Sequence, residues 1–452
     1  MCQTTSRRSR WQVVLSVLLA GSVVVIALAA ALASVVLSGD DHIGVAIRQG
    51  AATIIFVGSY LGLALGRIPG LRIDRAGIAL SGAGLMVASG TLSLDDAYKA
   101  IDLDTITLLL GMMIVVASLR LSGFFTLATA WVGRHARRPS ILLGGVVATS
   151  GLLSAFLVND AVCLVMAPLV LELILTLGRQ PLPYLLAVAM ASNVGSAATI
   201  TGNPQNIIIG SLSHIPYSRF ALDLGPVALV GLIGTGLLIA VFYRAEFSSG
   251  TRLEAPQRKV DINRALMIRA LAATVIMIAC FFAGVTPAKV AIIIAGLLLL
   301  TRRVKSQRIY REVDWPLLLM FAGLFVIVAG AQHALLGPDL IAAAGRLHLD
   351  RPPVLSVVTA VLSNLVSNVP AVLMLKPFVA PLKDHDTAWL VVAMASTLAG
   401  NFTVLGSIAN LIVVQRAAAS GVNIGFWDYF RVGAPLTLFT LTIGTLWLWL
   451  WS

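Results

Sequence analysis

Residues 189–209 read AMASNVGSAATITGNPQNIII and residues 393–413 read AMASTLAGNFTVLGSIANLIV; the two align without a gap and agree at eight of twenty-one positions. Four of those agreements, Ser192/Ser396, Thr199/Thr403, Gly202/Gly406 and Asn206/Asn410, are not residues that an apolar composition supplies by chance. In each copy an apolar run halts at glycine, asparagine and threonine and then resumes. Inside a lipid bilayer such a break survives only where protein buries it or where it lines a polar cavity. One structural unit is therefore used twice, and its broken middle is what the rest of the chain must explain.

The repeat extends outward from these segments. Residues 104–111 (DTITLLLG) have a counterpart in 314–323 (DWPLLLMFAG), and Leu157-Val-Asn-Asp160 has one in Leu365-Val-Ser-Asn368. An apolar arm carrying a proline, Pro168 or Pro377, follows each of the latter pair.

Composition sets the solvent. Of 452 residues 12% are charged and 58% hydrophobic, about half the charge of a soluble domain, and the mean hydropathy is +0.93. The chain is read as an all-α polytopic membrane protein. That excludes a cytosolic enzyme and a nucleic-acid partner for the net charge of +12; the lipid bilayer is its first partner, and basic residues belong in cytoplasmic loops. Cys2, Cys163 and Cys280 are scattered, in no zinc or redox spacing, and read as small core residues.

Residues 13–37 are uncharged and follow Arg7, Arg8 and Arg10. Ala31-Leu32-Ala33 resembles a cleavage site, but the run exceeds the ~7–15 residues of a signal core, so an extra transmembrane helix over 1–40 is expected. Loop charges then alternate: Asp40 and Asp41; Arg67, Arg72 and Arg75; Asp95, Asp96, Asp102 and Asp104; Arg134, Arg137 and Arg138. By the positive-inside rule the N-terminus is cytoplasmic. Residues 140–177 break the alternation, being interrupted at Asn159-Asp160 and basic at both flanks, and so predict a re-entrant hairpin. Residues 353–381, between mixed-charge flanks, predict a second hairpin from the outer face. The first repeat spans 41–243, a cytoplasmic linker 244–265, and a second, inverted repeat 266–452. The count is about eleven transmembrane helices plus two hairpins, with the C-terminus outside and the protein in the cell's inner or cytoplasmic membrane.

Paired broken helices in inverted halves point to a transporter's binding site at the membrane midplane. Asn159-Asp160, Asn203-Pro204 and Asn368-Val369-Pro370 each read as a helix restart with an N-capping side chain, and Ser407, aligned with Asn203, is expected to cap the fourth. Half-helix N-termini offer N–H groups to an anion. Gly195, Gly202, Gly400 and Gly406 let the backbone bend and bring carbonyls to the site, and those carbonyls, with Asn and Thr oxygens, suit Na⁺ or protonated water. Capping of a structural kink alone would account for one such break, but not for four that are symmetric and co-located. Asp160 needs the most explanation, since a carboxylate near the bilayer centre costs at least ~2.5 kcal/mol on insertion scales. It is read as protonated, as a ligand of a coupling cation, or as a partner of Lys376, one of only six lysines. Arg120 and Glu172 read as helix-end groups that snorkel or pair. The Asp95–Asp104 cluster reads as a solvated loop, not a metal site, and no histidine sits in a metalloprotease spacing.

The segments LVNDAVCLVMAPLV (157–170), ASNVGSAATITGNPQN (191–206), LVSNVPAVLMLKP (365–377) and STLAGNFTVLGSIANLIV (396–413) resemble the signature segments of the ion transporter superfamily. That group holds arsenite permeases, citrate-type and divalent anion:sodium transporters and sodium/proton antiporters similar to them. The resemblance covers nearly all of the chain after the first helix. It implies homodimers, elevator-type alternating access and no cofactor beyond a coupling ion, Na⁺ or H⁺. Its site would hold Asn159, Asp160, Asn193, Thr199, Gly202, Asn203, Asn206, Ser367, Asn368, Thr397, Asn401, Thr403, Gly406, Ser407 and Asn410, with Na⁺ near Asn159, Asp160 and Asn203; Lys376, read above as a partner of Asp160, joins these candidates. The hairpin tips, Val-Asn-Asp and Ser-Asn-Val, depart from the Ser-Asn-Thr of the dicarboxylate branch and look more like the arsenite-permease side. The expected function is secondary active transport of a small anion or arsenite-like oxyacid. The alternatives are a sodium/proton antiporter, a channel, and a membrane-embedded lipid-modifying enzyme, for which no paired carboxylates stand at convincing spacing.

Overall fold

The computed structural model describes residues 42–65, 73–248, 253, 262–300, 305–335 and 347–451. The expected first helix, Asp40 and Asp41, Arg67 and Arg72, and most of the 244–265 linker lie outside them. Among the described residues the chain is helical throughout, without a strand, and seven helices are long and apolar enough to cross a membrane. Five shorter apolar helices accompany them.

The first half runs α1 (His42–Leu65), α2 (Arg75–Ala88), α3 (Leu94–Ala100), α4 (Leu103–Ser122) and α5 (Phe124–His135). The helix pair α6 (Pro139–Phe156) and α7 (Asn159–Thr176) follows, then α8 (Pro181–Ser196), α9 (Pro204–Ser213), α10 (Tyr217–Phe242) and the short α11 (Arg244–Phe247). The second half runs α12 (Arg264–Phe282), α13 (Pro287–Leu299), α14 (Ser306–Tyr310), α15 (Trp315–Leu335), the pair α16 (Pro352–Val366) and α17 (Asn368–Val379), then α18 (His385–Ala399), α19 (Ile408–Ala419) and α20 (Phe426–Trp451). Proline stands in the first turn of α6, α8, α9, α13 and α16, where its missing N–H costs nothing. The two expected hairpins are α6–α7 and α16–α17, and the two broken helices are α8–α9 and α18–α19, each interrupted by a single 3₁₀ turn (Ile200–Gly202, Val404–Gly406).

The chain groups into two compact units. One holds α1, α2, α3, α15 and residues 373–378; the other holds most of α4, all of α5 to α14, α16, the start of α17, and α18 to α20. Within the first unit α15 lies on α2 through small residues: a Cβ on Gly323 would stand 2.6 Å from the Ala79 carbonyl carbon, and one on Gly330 2.8 Å from Met86 Sδ. Within the second unit α4 approaches α13 in the same way, a Cβ on Gly111 standing 2.7 Å from the carbonyl carbon of Ala291. Small residues let helix backbones approach closely where lipid provides no hydrophobic drive.

These contacts fix the register of the repeat. Asp102 caps α4, accepting from Thr105 N–H at 3.1 Å, and Asp314 caps α15, accepting from Leu317 N–H at 3.1 Å. Asp102, and not Asp104, is thus the counterpart of Asp314, because the N-cap pins where each helix begins. Gly111 on Ala291 is then matched by Gly323 on Ala79, equivalent residues with the copies exchanged. Equivalent positions thus meet once within each unit, with the copies exchanged.

Other charges settle at helix ends. Arg120 pairs with Glu312. Arg179, just after α7, bonds Glu246 Oε1 at 2.8 Å, and Tyr184 donates to the same oxygen at 3.1 Å. In the first unit Asp74 caps α2, accepting from Gly77 N–H at 2.8 Å. Asp74→Ala is expected to cost about 1 kcal/mol. In a chain this long that is a fall of roughly 2 °C or less in melting temperature, with transport unchanged.

Candidate functional site

The second unit buries a polar knot where the two broken helices and both hairpin tips meet. In the first break Asn203 caps α9, its Oδ1 accepting from Asn206 N–H at 2.9 Å. Asn206 then closes the gap, donating from Nδ2 to the carbonyls of Ser196 (3.1 Å) and Thr199 (3.0 Å). The second break is closed identically: Asn410 Nδ2 donates to the carbonyls of Gly400 (2.7 Å) and Thr403 (3.2 Å). Interrupting a helix in an apolar core leaves backbone carbonyls unpaired, at several kcal/mol each. One asparagine per copy removes that penalty. Gly202 and Gly406 are required by space, since a Cβ on either would stand within 2.8 Å of a carbonyl group, that of Ser196 or Gly400.

The breaks are cross-linked. Asn193 Nδ2 donates to Asn410 Oδ1 at 2.9 Å, and Thr397, its counterpart, donates to Asn206 Oδ1 at 3.4 Å. Ser407 Oγ donates to Asn193 Oδ1 at 3.0 Å, and Asn203 Nδ2, its counterpart, donates to Thr397 Oγ1 at 3.1 Å. Two contacts and their exchanged equivalents make a two-fold pattern. Gln205 adds a bond to Thr397 Oγ1 at 3.1 Å. Asn401 donates to the Met190 carbonyl at 3.1 Å and accepts from Tyr429 at 3.4 Å.

Each hairpin tip reaches this knot. At the first, Asn159 donates from Nδ2 to Asn193 Oδ1 at 3.0 Å, and its carbonyl accepts from Ser192 at 3.3 Å. Ser154 meets Ser192 at 2.7 Å, and Thr199 Oγ1 donates to the Ala155 carbonyl. At the second, Ser367 takes a φ of +79°, and Asn368 opens α17. With its amide nitrogen toward the carbonyls, Asn368 donates to Gly406 O at 3.1 Å and Ser396 O at 3.2 Å. Asn364 donates to the Ala399 carbonyl at 3.1 Å.

Three expectations need correction. Asn159 does not cap α7: the cap position is Val158, whose side chain has no polar atom, and the Asn159 Nδ2 is committed to Asn193. Asn368 likewise stands inside its helix, since the Ala371 N–H bonds the Ser367 carbonyl. Ser407 occupies the cap position of α19 but makes no side-chain cap bond, its hydroxyl being spent on Asn193. The hairpin register shifts as well. Ser154/Ser363, Asn159/Asn368 and the in-helix Pro168/Pro377 are equivalent, which sets Asp160 against Val369. The carboxylate thus belongs to one copy alone. Asp160 sits half-buried in the first turn of α7, where the helix dipole favours negative charge. Lys376 is half-buried near the end of α17, among the residues of the first unit, so the convergence described here does not include it.

Of the expected residues, Asn159, Asn193, Thr199, Asn203, Asn206, Asn368, Thr397, Asn401, Ser407 and Asn410 meet through side chains, Thr403, Gly202 and Gly406 through backbone or close approach. Ser154, Ser363, Asn364 and Tyr429 belong to the same network and were not singled out from sequence. The serine three residues before Leu157, repeated before Val366, was the available signal.

The sequence profile of the family described as Citrate transporter matches residues 60–399. The chain belongs to that family. It is a multi-pass membrane transporter, 32% identical over 429 residues to the uncharacterized transporter Rv2684 of Mycobacterium tuberculosis, covering 88% of this chain and 97% of that one. It is 30% identical to the silicon efflux transporter LSI3 of rice, over 83% of this chain and 93% of the relative. It is also 24% identical to the putative transporter arsB of Dictyostelium discoideum, over 87% and 90%. Among solved structures, the YdaH transporter of Alcanivorax borkumensis shares the fold, with a TM-score of 0.57 at 15% identity, covering 88% of this chain and 98% of that one.

Proposed function

We propose that this member of the citrate transporter family is a secondary active transporter of a small anion or neutral oxyacid, coupled to Na⁺ or H⁺, working by elevator-type alternating access. The reading is carried by the knot itself: two broken helices and two hairpin tips converge on buried amides within one compact unit. A site confined to one unit is what an elevator needs. The first turn of α19, whose cap position makes no side-chain bond, supplies N–H groups to a cargo oxyanion. The tip of the first hairpin supplies acceptors. Asn159 is 3% exposed and its Oδ1 has no hydrogen-bond partner, and the Asp160 carboxylate follows it. Oxygen acceptors suit a hard cation, so a cation bound there would travel with the cargo. No resident cofactor is invoked. A homodimer in the cytoplasmic membrane, N-terminus inside and C-terminus outside, completes the proposal.

Silicic acid, arsenite and citrate are the first cargoes to try, the first because of the rice relative's name and the last because of the family's. Protein reconstituted in proteoliposomes is expected to accumulate one of them when an inward Na⁺ or H⁺ gradient is imposed. A tenfold gradient supports about tenfold accumulation at one-to-one coupling, ~1.4 kcal/mol. Cation exchange without any cargo would instead favour an antiporter, in which Asp160 alternately holds Na⁺ and H⁺.

A further inference from the structure

From the hydrogen-bond inventory of the knot we infer that Asn193 is a positioning residue and not a cargo ligand: it couples the tip of the first hairpin to the backbone of the second break. This rests on the cation reading of the first hairpin proposed above. An asparagine amide has two N–H donors and an oxygen with two lone pairs. All four are in use. Nδ2 donates to Asn401 Oδ1 and Asn410 Oδ1, both at 2.9 Å, and Oδ1 accepts from Asn159 Nδ2 and Ser407 Oγ, both at 3.0 Å. The residue is 1% exposed. Nothing remains of it for a cargo.

Its partners define a path. Asn159 presents a free Oδ1 on one side of its amide and is bonded to Asn193 on the other. Asn193 holds Asn410, and Asn410 holds the Gly400 and Thr403 carbonyls that frame the second break. A cation taken by Asn159 Oδ1 fixes that amide's plane and polarises its N–H groups, which strengthens the next bond in the chain. Among the described residues the second copy lacks the first link of such a path, although Thr397 does donate to Asn206 Oδ1 at 3.4 Å. Thr397 accepts from Asn203 and Gln205, and Asn368 bonds carbonyls of its own copy, Ser396 and Gly406. The coupling therefore runs one way across the repeat, from the hairpin with the carboxylate to the break without one.

The second break can be probed through Leu405, whose side chain is 72% exposed. The test uses the full-length protein with Leu405→Cys, and with Cys2 and Cys280 replaced by serine. Maleimide labelling at that position is measured with and without Na⁺, and across a pH step, alongside the melting temperature. In the parent, the effective cation is expected to change the labelling rate roughly fivefold or more, the lower end of ordinary site–site coupling. Asn193→Thr, which copies its counterpart Thr397, should lose that change while the cation still raises the melting temperature as in the parent. Ser407→Ala, which removes one acceptor bond only, should lose part of it and carries the test if the threonine variant does not fold. If both variants keep the parent's full response, the inference is wrong and the cation reading stands. If neither Na⁺ nor protons alter the parent's stability or labelling, the cation reading itself fails, and the inference with it.

Discussion

Asp160→Asn is expected to abolish the dependence of uptake on the coupling gradient while leaving the protein folded. The substitution keeps the shape and removes the charge. An opposite charge about 4 Å from a bound cation is worth ~4 kcal/mol at an effective dielectric constant near 20, so cation affinity should fall by roughly a thousandfold. Cargo would then equilibrate without being concentrated. The fold should survive because the buried bonds of the tip run through Asn159 and Ser192, and because removing a half-buried charge from a membrane protein relieves a cost. Uptake assays with and without the gradient, together with a melting curve, separate the two effects. Full gradient-driven uptake by the variant would end the coupling role assigned to this carboxylate.

Gly195→Ala should do the reverse, attacking the fold and function together. α8 crosses α6 at Gly195 and Gly151, where a new Cβ would lie 2.5 Å from the Gly151 Cα and closer still to its carbonyl oxygen. Backbone cannot rotate aside as a side chain can. Overpacking of a close-packed interior typically costs 1–3 kcal/mol and occasionally more, and this site belongs at the upper end. The displacement would also carry Asn193, two residues earlier, off its four partners. A loss of melting temperature accompanied by loss of uptake is expected. Gly144→Ala on the same hairpin arm, where nothing lies within 4 Å, should change neither and serves as the control. A Gly195→Ala protein as stable as the parent would contradict the packing described here.

Much of this was legible in the chain before any coordinates. The gapless match of 189–209 to 393–413 announces both breaks, because polar residues that recur at the same spacing in apolar surroundings have no other reason to persist together. The hairpins are expected from charge, the first from two basic flanks and the second from two mixed-charge ones, which the positive-inside rule assigns to one face each. What the sequence did not disclose was which atom each polar residue spends on which neighbour. Asn203 caps its helix as its residue type suggests, whereas Ser407, Asn159 and Asn368 bond elsewhere. Capping preference is local, and a tertiary partner, 34 residues away for Asn159 and 214 for Ser407, outbids it. The registers of Asp102 and of the hairpin tips were misplaced by one or two residues for the same reason: the motifs look alike by eye, but helix starts decide the pairing.

The crossed bonds have a consequence for how the chain must be made. Asn193 is threaded into the membrane 217 residues before Asn410, and Asn203 waits almost as long for Thr397. Until the later half emerges from the ribosome, the Asn193 N–H groups lack both of their mature partners, Asn401 and Asn410. Neither half, produced on its own, should therefore settle into its mature form, and joining two separately synthesised halves should work only if they meet while both are still unfinished.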